Sequence, residues 1–451
     1  MMRIAKYLIV ILILQLMSCS KFLEEKPAST ITTPQTEDDI KMMLNYTTIM
    51  HRNEPGIMEI AADDYFLTDQ AWNSITLEND RLAYVWSDQP MILSQWSGAY
   101  TPIMYSNVIL ESLDKIKYKD LGNRNRFDGI ARFHRAINYY RILQAYAVAF
   151  DPASAAVKLG FALRESADIE TKSRRLTIQQ SYAYLIDDLS RSTNGLRVTE
   201  EQSVYPNKSA AFSILANLYL DMMDYENAYK MADSSIFYNQ NELLDFNKDL
   251  KETDAIPFVR TNKEIIFYSL LNGSQALVPS RARVAKELLS LYEPFDLRLS
   301  LFYHKGSDGN YSFKGNYDGN NTSGLMFSGI TVGELLLQRA EAAARTRRND
   351  IALQDLNLLR SFRIKKAEYV PYERLESQQL LDEILKERRK ELVYRGRRWS
   401  DLKRFAVEGR TIPDLSRTIN GEAHTLTPIK LKLFAFKIPD LVIENSDIEQ
   451  N

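Results

Sequence analysis

Cysteine and histidine are nearly absent from this sequence. Its 451 residues include one cysteine, Cys19, and four histidines, and no two histidines have the spacing of metal ligands. A single cysteine excludes a disulfide within the chain, so the fold must be stabilised by the burial of apolar surface, which a chain of this length can supply. The same scarcity predicts a protein with no bound metal and no cofactor.

Recognisable catalytic motifs are missing too. The sequence contains no His-Glu-x-x-His, no phosphate-binding glycine loop and no Gly-x-Ser-x-Gly. Adjacent carboxylates occur at Asp63–Asp64 and Asp187–Asp188. Hydrolysis of a glycosidic bond, however, needs two carboxyl groups on opposite sides of a cleft, which neighbours in sequence do not supply. We therefore predict a protein without hydrolase activity.

The sequence also lacks a strong net charge and any segment with the composition of a linker. The formal net charge is −2, without a stripe of lysine and arginine, so nucleic acid is not an expected partner. No segment rich in proline, glycine and serine divides the chain. The sequence predicts one large globular unit, or two lobes that share a core.

The only long apolar run is at the N-terminus, and it is short for a membrane span. Arg3 and Lys6 precede an apolar run at 8–14, well below the ~20 residues that a spanning helix needs. This layout predicts a secretory signal over residues 1–18. Cys19 follows directly and resembles the acylated cysteine of a bacterial lipobox, so we expect a lipid anchor there. The alternative is a secreted protein without an anchor.

Most of the remaining chain has the spacing of amphipathic helices. Apolar residues recur three or four positions apart, and Thr177 with Gln180 forms a capping-box pair at the start of one such stretch. Extended character is scarce, and one short strand is predicted at 264–268. The predicted fold class is mainly α.

Two segments resemble tetratricopeptide repeats. Ala216 and Ala228 are twelve residues apart, as are Ala340 and Ala352, and small residues at this offset let two antiparallel helices touch. The predicted turns lie at 221–224 and 348–350. Such pairs bury a face only when stacked on neighbours. Because the copies are far apart in sequence, we expect repeats that do not form one uninterrupted solenoid.

The most specific pattern lies at residues 387–404. It reads Glu-Arg-Arg-Lys-Glu-Leu and, three residues later, Gly-Arg-Arg-Trp-Ser-Asp-Leu-Lys-Arg. This block resembles the SusD/RagB family of Bacteroidetes outer-membrane nutrient-binding lipoproteins, which carry a similar "ERR-EL…G-RW-DLKR" block. Other segments that resemble the family are 22–27, 96–107, 296–298, 335–342 and 438–451. The resemblance therefore runs nearly end to end.

The resemblance implies a function and a location. It implies an outer-membrane lipoprotein, anchored through Cys19 and facing the cell surface, that binds an oligosaccharide or a peptide. The cargo would pass to a SusC-like, TonB-dependent transporter. The resemblance also implies that Arg388 and Arg389 pair with carboxylates such as Glu341 or Asp401, with Trp399 buried beside them.

Two segments without clean helical period are candidates for ligand binding. Segment 63–86 is rich in aromatic residues, and segment 304–329 holds six of the seventeen glycines. Exposed ring faces can cover the C–H face of a sugar while carboxylates and amides bond its hydroxyl groups. We expect Trp72 and Tyr317 to be exposed, although the tryptophans could instead belong to the core. The candidate ligand-binding residues are Asp64, Trp72, Trp86, Tyr311 and Tyr317.

The predicted organisation is a signal segment followed by one SusD/RagB-like domain, residues 19–451. Its helical-repeat scaffold is expected at roughly 95–240 and 330–406, with loop-rich ligand-binding portions at roughly 55–94 and 241–329. Two other functions remain open. One is an all-helical enzyme that degrades glycans, which would need an acid pair across a cleft. The other is a tetratricopeptide-type scaffold for membrane-protein assembly, which would bind peptide segments.

Overall fold

The computed structural model describes residues 33–168 and 170–451, so Cys19 and the predicted signal at 1–18 lie outside the described residues. The described residues form eighteen α-helices and ten short strands, and the predicted mainly α class is confirmed. The helices are α1 (Glu37–Leu44), α2 (Thr47–Met50), α3 (Ile57–Ala61), α4 (Asp69–Asn73), α5 (Glu78–Tyr84), α6 (Leu93–Ser112), α7 (Leu121–Tyr146), α8 (Ile178–Gly195), α9 (Lys208–Asp221), α10 (Tyr225–Tyr238), α11 (Lys286–Leu289), α12 (Arg298–Phe302), α13 (Val332–Arg345), α14 (Asn349–Ser361), α15 (Ser377–Glu391), α16 (Arg398–Val407), α17 (Pro428–Lys432) and α18 (Asp440–Glu444).

The strands pair two by two in five antiparallel sheets. They are β1 (Tyr65–Phe66) with β5 (Arg283–Val284), β2 (Leu159–Leu163) with β3 (Arg174–Thr177), β4 (Ile265–Phe267) with β8 (Ile330–Thr331), β6 (Tyr303–Lys305) with β7 (Tyr311–Phe313), and β9 (Leu415–Ile419) with β10 (Glu422–Leu426). The predicted strand at 264–268 corresponds to β4. Two of these sheets, β1–β5 and β4–β8, connect distant parts of the chain, whereas the other three pair strands that are close in sequence.

Several helices begin where the sequence predicts. At the start of α8 the Thr177 hydroxyl accepts the Gln180 N–H, and the Gln180 side chain accepts the Thr177 N–H, which is the predicted capping box. Thr36 and Asp39 make the same reciprocal pair at the start of α1. Within residues 33–168 and 170–451, no helix combines the length and apolar composition that crossing a membrane requires.

Eight helices pack side by side as a continuous stack. In order of contact they are α6, α7, α8, α9, α10 and α13, with α14 and α15 both packed against α13. The two repeat-like hairpins, α9–α10 and α13–α14, are therefore neighbours in space. Residues 239–331 interrupt the repeats in sequence but do not separate them in the fold.

The two hairpins share their geometry at equivalent residues. Ala216 and Ala340 are fully buried on the first helix of each hairpin. Seven residues later, Met223 and Arg347 both adopt a left-handed backbone, with φ of 60° and 63°. The first turn lies where predicted, between α9 and α10. The second begins earlier than predicted, because α14 already starts at Asn349.

The arginine-rich block of the sequence joins α13, α15 and α16. Arg388 Nε lies 2.8 Å from Asp401 Oδ2, and Trp399 is fully buried, as the resemblance implies. Arg404 Nη2 donates to Glu341 Oε2 at 2.8 Å and so connects α16 to α13. Charged hydrogen bonds of this kind position buried elements relative to one another.

Candidate functional site

A cavity of about 370 Å³ lies where three distant parts of the chain meet. The first part is the segment 63–86, which includes β1 and α5. The second, residues 285–287, follows β5 and reaches the cavity because β5 pairs with β1. The third is residues 415–418 of β9. The exposed lining residues are Lys286, Glu287, Ser416 and Thr418.

Aromatic residues form the inner wall of the cavity. Tyr65 and Tyr84 are buried and Trp86 is 8% exposed, whereas Phe66 on β1 is partly exposed. Trp86 has a left-handed φ of 54°, which a side chain of this size rarely adopts, and its indole N–H donates to the Ala61 carbonyl at 2.9 Å. Backbone strain of this kind persists only where the surroundings enforce it.

A buried cation, Arg417 of β9, lies against this wall. Its guanidinium carbon is 3.8 Å from the ring centroid of Tyr84 and 4.5 Å from that of Trp86. Its N–H groups donate to the carbonyls of Ile60 (3.2 Å), Ala61 (3.4 Å), Ala62 and Tyr84. Among the described residues, no carboxylate lies within 4.0 Å of it.

The acidic residues beneath the cavity are ion-paired. Asp63 accepts from Arg398 at 2.6 Å and 2.8 Å, and Arg389 bridges Asp63 and Asp64 at 3.2 Å and 2.8 Å. Burial alone would raise the pKa of Asp63, but the charge and hydrogen bonds of Arg398 hold that pKa below its ordinary value. Arg389 therefore pairs with carboxylates, as the resemblance implies, but its partners are Asp63 and Asp64 and not the suggested Glu341 or Asp401.

The predicted ligand-binding residues are not all at this cavity. Trp86 lines it, whereas Trp72 on α4 packs against Tyr84 at 5.4 Å between ring centroids and is only partly exposed. Asp64 is fully buried, faces Arg389 and does not line the cavity, whereas its neighbour Asp63 does. Tyr311 lies on β7, which packs beside β5, and does not line the cavity.

Tyr317 is fully buried, so the expectation that its ring is exposed is wrong. Its ring stacks on Phe258 at 4.4 Å between centroids. The glycines around it serve close packing. A Cβ at Gly324 would lie 1.7 Å from the Ser274 carbonyl oxygen, so only glycine allows the backbone to approach there. Gly315, Gly324 and Gly329 thus allow close packing, whereas Gly309 lies in an open turn with a positive φ of 78°.

Two parts of the cavity were missed by sequence reasoning, residues 285–287 and 415–418. One signal for the second was present: Asn420-Gly421 joins β9 to β10, and both residues have positive φ, 50° and 83°. Asn-Gly between two short extended segments is a strong hairpin signal. No pattern in the sequence predicts that this hairpin contacts residues 60–86.

The arrangement fits binding better than hydrolysis. The lining carboxylates are Asp63 and Glu287. A glycosidase needs a carboxylic acid that stays protonated near neutral pH, and Asp63 is held as an anion by Arg398. Among the described residues, no group of three or more His, Cys, Asp or Glu side chains could hold a metal ion.

Two family models match the chain. The first, SusD-like_3, described as "Starch-binding associating with outer membrane", matches residues 21–220, and the second, described as "SusD family", matches residues 301–435. No curated protein matches.

Solved structures match over nearly the whole chain. A protein from Bacteroides vulgatus ATCC 8482, proposed to bind sugar, is 22% identical with a TM-score of 0.76, covering 93% of this chain and 99% of its own. A SusD superfamily protein from Bacteroides thetaiotaomicron VPI-5482 is 21% identical (TM-score 0.72, coverage 92% and 99%). Another from Bacteroides fragilis is 18% identical (TM-score 0.74, coverage 92% and 99%). At these identities the structures establish the fold alone.

Proposed function

Because the chain belongs to the SusD family, we propose that it is a surface-exposed, lipid-anchored protein that captures an oligosaccharide and delivers it to a SusC-like, TonB-dependent transporter. Support comes from two family models that together match most of the chain, one of them described as starch-binding and associated with the outer membrane. Cys19, outside the described residues, would carry the lipid.

The observation that carries the proposal is the chemistry of the cavity. Its volume of about 370 Å³ falls within the range of small-molecule sites. The partly exposed ring of Phe66 offers an apolar face for the C–H side of a sugar. The hydroxyl groups of Ser416 and Thr418, with the charged ends of Lys286 and Glu287, offer donors and acceptors for sugar hydroxyls.

The cavity supports capture without bond cleavage. Arg398 and Arg389 keep the Asp63 carboxylate ion-paired, which suits a fixed acceptor and not a proton donor. The scaffold alternative has less support, because the faces of the repeat helices that carry Ala216, Ala228 and Ala340 are already filled by neighbouring helices.

A binding screen tests the proposal. The full chain, purified in mild detergent, is titrated calorimetrically with starch-derived and other neutral oligosaccharides and, in parallel, with peptides of similar mass. We expect saturable binding of at least one oligosaccharide, recovered intact by chromatography. Binding of peptides only would overturn the proposed cargo, and steady hydrolysis that a single carboxylate substitution abolishes would overturn the non-catalytic role.

A further inference from the structure

We propose that Arg417 is the positioning residue of the ligand site, and that it holds the Trp86 ring in the orientation that shapes the cavity wall. The proposal rests on the proposed function of the cavity. It also assigns the C-terminal hairpin, β9–β10, to the binding site, although that hairpin lies more than 300 residues after the wall that it contacts.

The contacts of Arg417 and Trp86 converge on the same groups. The Ala61 carbonyl accepts both the indole N–H of Trp86 at 2.9 Å and an N–H of Arg417 at 3.4 Å. The Tyr84 carbonyl, two residues before Trp86, also accepts from Arg417. Because Trp86 holds an unfavourable positive φ, its conformation depends on these restraints.

The partners of Arg417 require a planar cation. The guanidinium carbon lies over the rings of Tyr84 and Trp86, while the N–H groups reach carbonyls of residues 60–62. Stacking and in-plane donation together are possible for arginine and not for lysine, whose ammonium group is compact and strongly hydrated. Lysine at position 417 would keep the positive charge but could not stack on the rings and donate to the carbonyls at the same time.

Anchoring of Arg417 also fixes the direction in which the neighbouring side chains of β9 point. Along β9, Leu415, Arg417 and Ile419 are buried, while Ser416 and Thr418 between them are exposed. Successive side chains of a strand point to opposite faces. With Arg417 fixed inward, Ser416 and Thr418, which also belong to the cavity lining, are held on the exposed face of β9.

The chain offers a matched control. Arg395 is equally buried, and its guanidinium carbon lies 4.0 Å from the ring centroid of Tyr317 and 5.6 Å from that of Phe327. It also donates to the Thr331 hydroxyl at 3.0 Å. Arg395 does not line the cavity. Arg395→Lys therefore removes the same kind of contact elsewhere in the core.

The test is fluorine NMR of the full chain labelled with 5-fluorotryptophan, which gives one signal for each of four tryptophans. Trp86→Phe identifies the Trp86 signal. We expect Arg417→Lys to shift or broaden that signal and to leave the signals of Trp96 and Trp399 in place, whereas Arg395→Lys leaves the Trp86 signal unchanged. Trp72 is not used as a reference, because its ring packs against Tyr84. An unmoved Trp86 signal in Arg417→Lys, or equal displacement of all four signals, would overturn the proposal.

A second variant keeps the test informative if Arg417→Lys does not fold. Tyr84→Leu removes the ring nearest to the guanidinium and retains the cation. It must displace the Trp86 signal too, and an undisplaced signal contradicts the proposal. Because this measurement uses no ligand, it can fail while the cavity still binds an oligosaccharide, and it can succeed if the proposed cargo is wrong.

Discussion

Phe66 carries the accessible aromatic surface of the cavity, because Tyr65, Tyr84 and Trp86 are buried. We expect Phe66→Ala to weaken oligosaccharide binding about tenfold, ~1.4 kcal/mol, with little loss of stability. Titration calorimetry and thermal unfolding measure the two effects. Tyr317→Ala is the matched control, since truncating a buried aromatic residue costs ~3–5 kcal/mol of stability while the folded fraction should bind normally. The reverse pattern would show that the site lies elsewhere.

Glu59 makes the stability of the fold depend on pH. It is fully buried, and burial, reinforced by the charge of Asp64, raises its pKa from the ordinary 4.5 to about 8. Between these values the folded chain keeps a proton that the unfolded chain has released. Stability therefore falls as the pH rises through this window.

Glu59→Gln should remove that fall, because glutamine stays neutral and can still accept the Gly396 N–H that now donates to Glu59 at 2.7 Å. The measurement is the urea midpoint at pH 5.5 and at pH 8.5, where the variant should lose less stability than the parent. Glu287→Gln makes the same charge change on an exposed side chain. A decline with pH as steep in Glu59→Gln as in the parent would contradict the assignment.

Individual residues show how much of the site could be predicted from the sequence. Trp86 was predicted from aromatic crowding, and it does line the cavity. Arg417 was not, because its partners are the carbonyls and rings of residues that lie more than 300 positions earlier. Tyr317 was misinterpreted, since glycine-rich composition is equally compatible with a loose loop and with tight backbone contact.

At the level of elements, local chemistry was a reliable guide. The capping box at Thr177 and the twelve-residue alanine offset predicted helices and repeats that the structure confirms. Both signals act within one helix or one hairpin. The packing of α10 against α13 depends on how residues 239–331 run through the fold. The periodicity of apolar residues does not predict that path. Helices were therefore predictable, and their neighbours were not.

The contact between α13 and α16 depends on the buried ion pair of Arg404 with Glu341. Arg404→Met would leave Glu341, which is fully buried, with Arg345 as its remaining partner at 3.0 Å. We expect a loss of ~3–5 kcal/mol in the free energy of unfolding, because an uncompensated buried charge is costly. Urea titration of Arg404→Met, Glu341→Leu and the double variant measures the coupling. The double variant should cost ~1–3 kcal/mol less than the sum of the singles. Strict additivity would mean that the two side chains do not act as a pair.

At the scale of the whole molecule, attachment to the membrane is predicted to depend on one atom, the sulfur of Cys19. Cys19→Ser removes the only thiol of the chain. We expect the variant to incorporate no labelled fatty acid and to leave the membrane fraction, because two acyl chains on Cys19 would supply stable anchoring. Retention of Cys19→Ser in the outer membrane after detergent fractionation would assign the anchor to another part of the protein.

The proposed delivery of cargo would also require a second protein, because a binder held outside the cell could not move a sugar through the outer membrane by itself. The formal charge of −2 gives little electrostatic steering, so shape and hydrogen bonding would set the specificity of that contact. A contact that survives repeated loading and release should bury about 2,000 Å² or more. We therefore expect tagged protein, purified from outer membranes in mild detergent, to bring down a SusC-like barrel in near-equal amount. The Phe66→Ala variant should bring down the same barrel, since we expect the cavity wall to bind sugar and not to hold the chain on the transporter. Recovery of the chain alone, under conditions in which other outer-membrane complexes stay intact, would argue against delivery to a transporter and would favour a role in membrane-protein assembly.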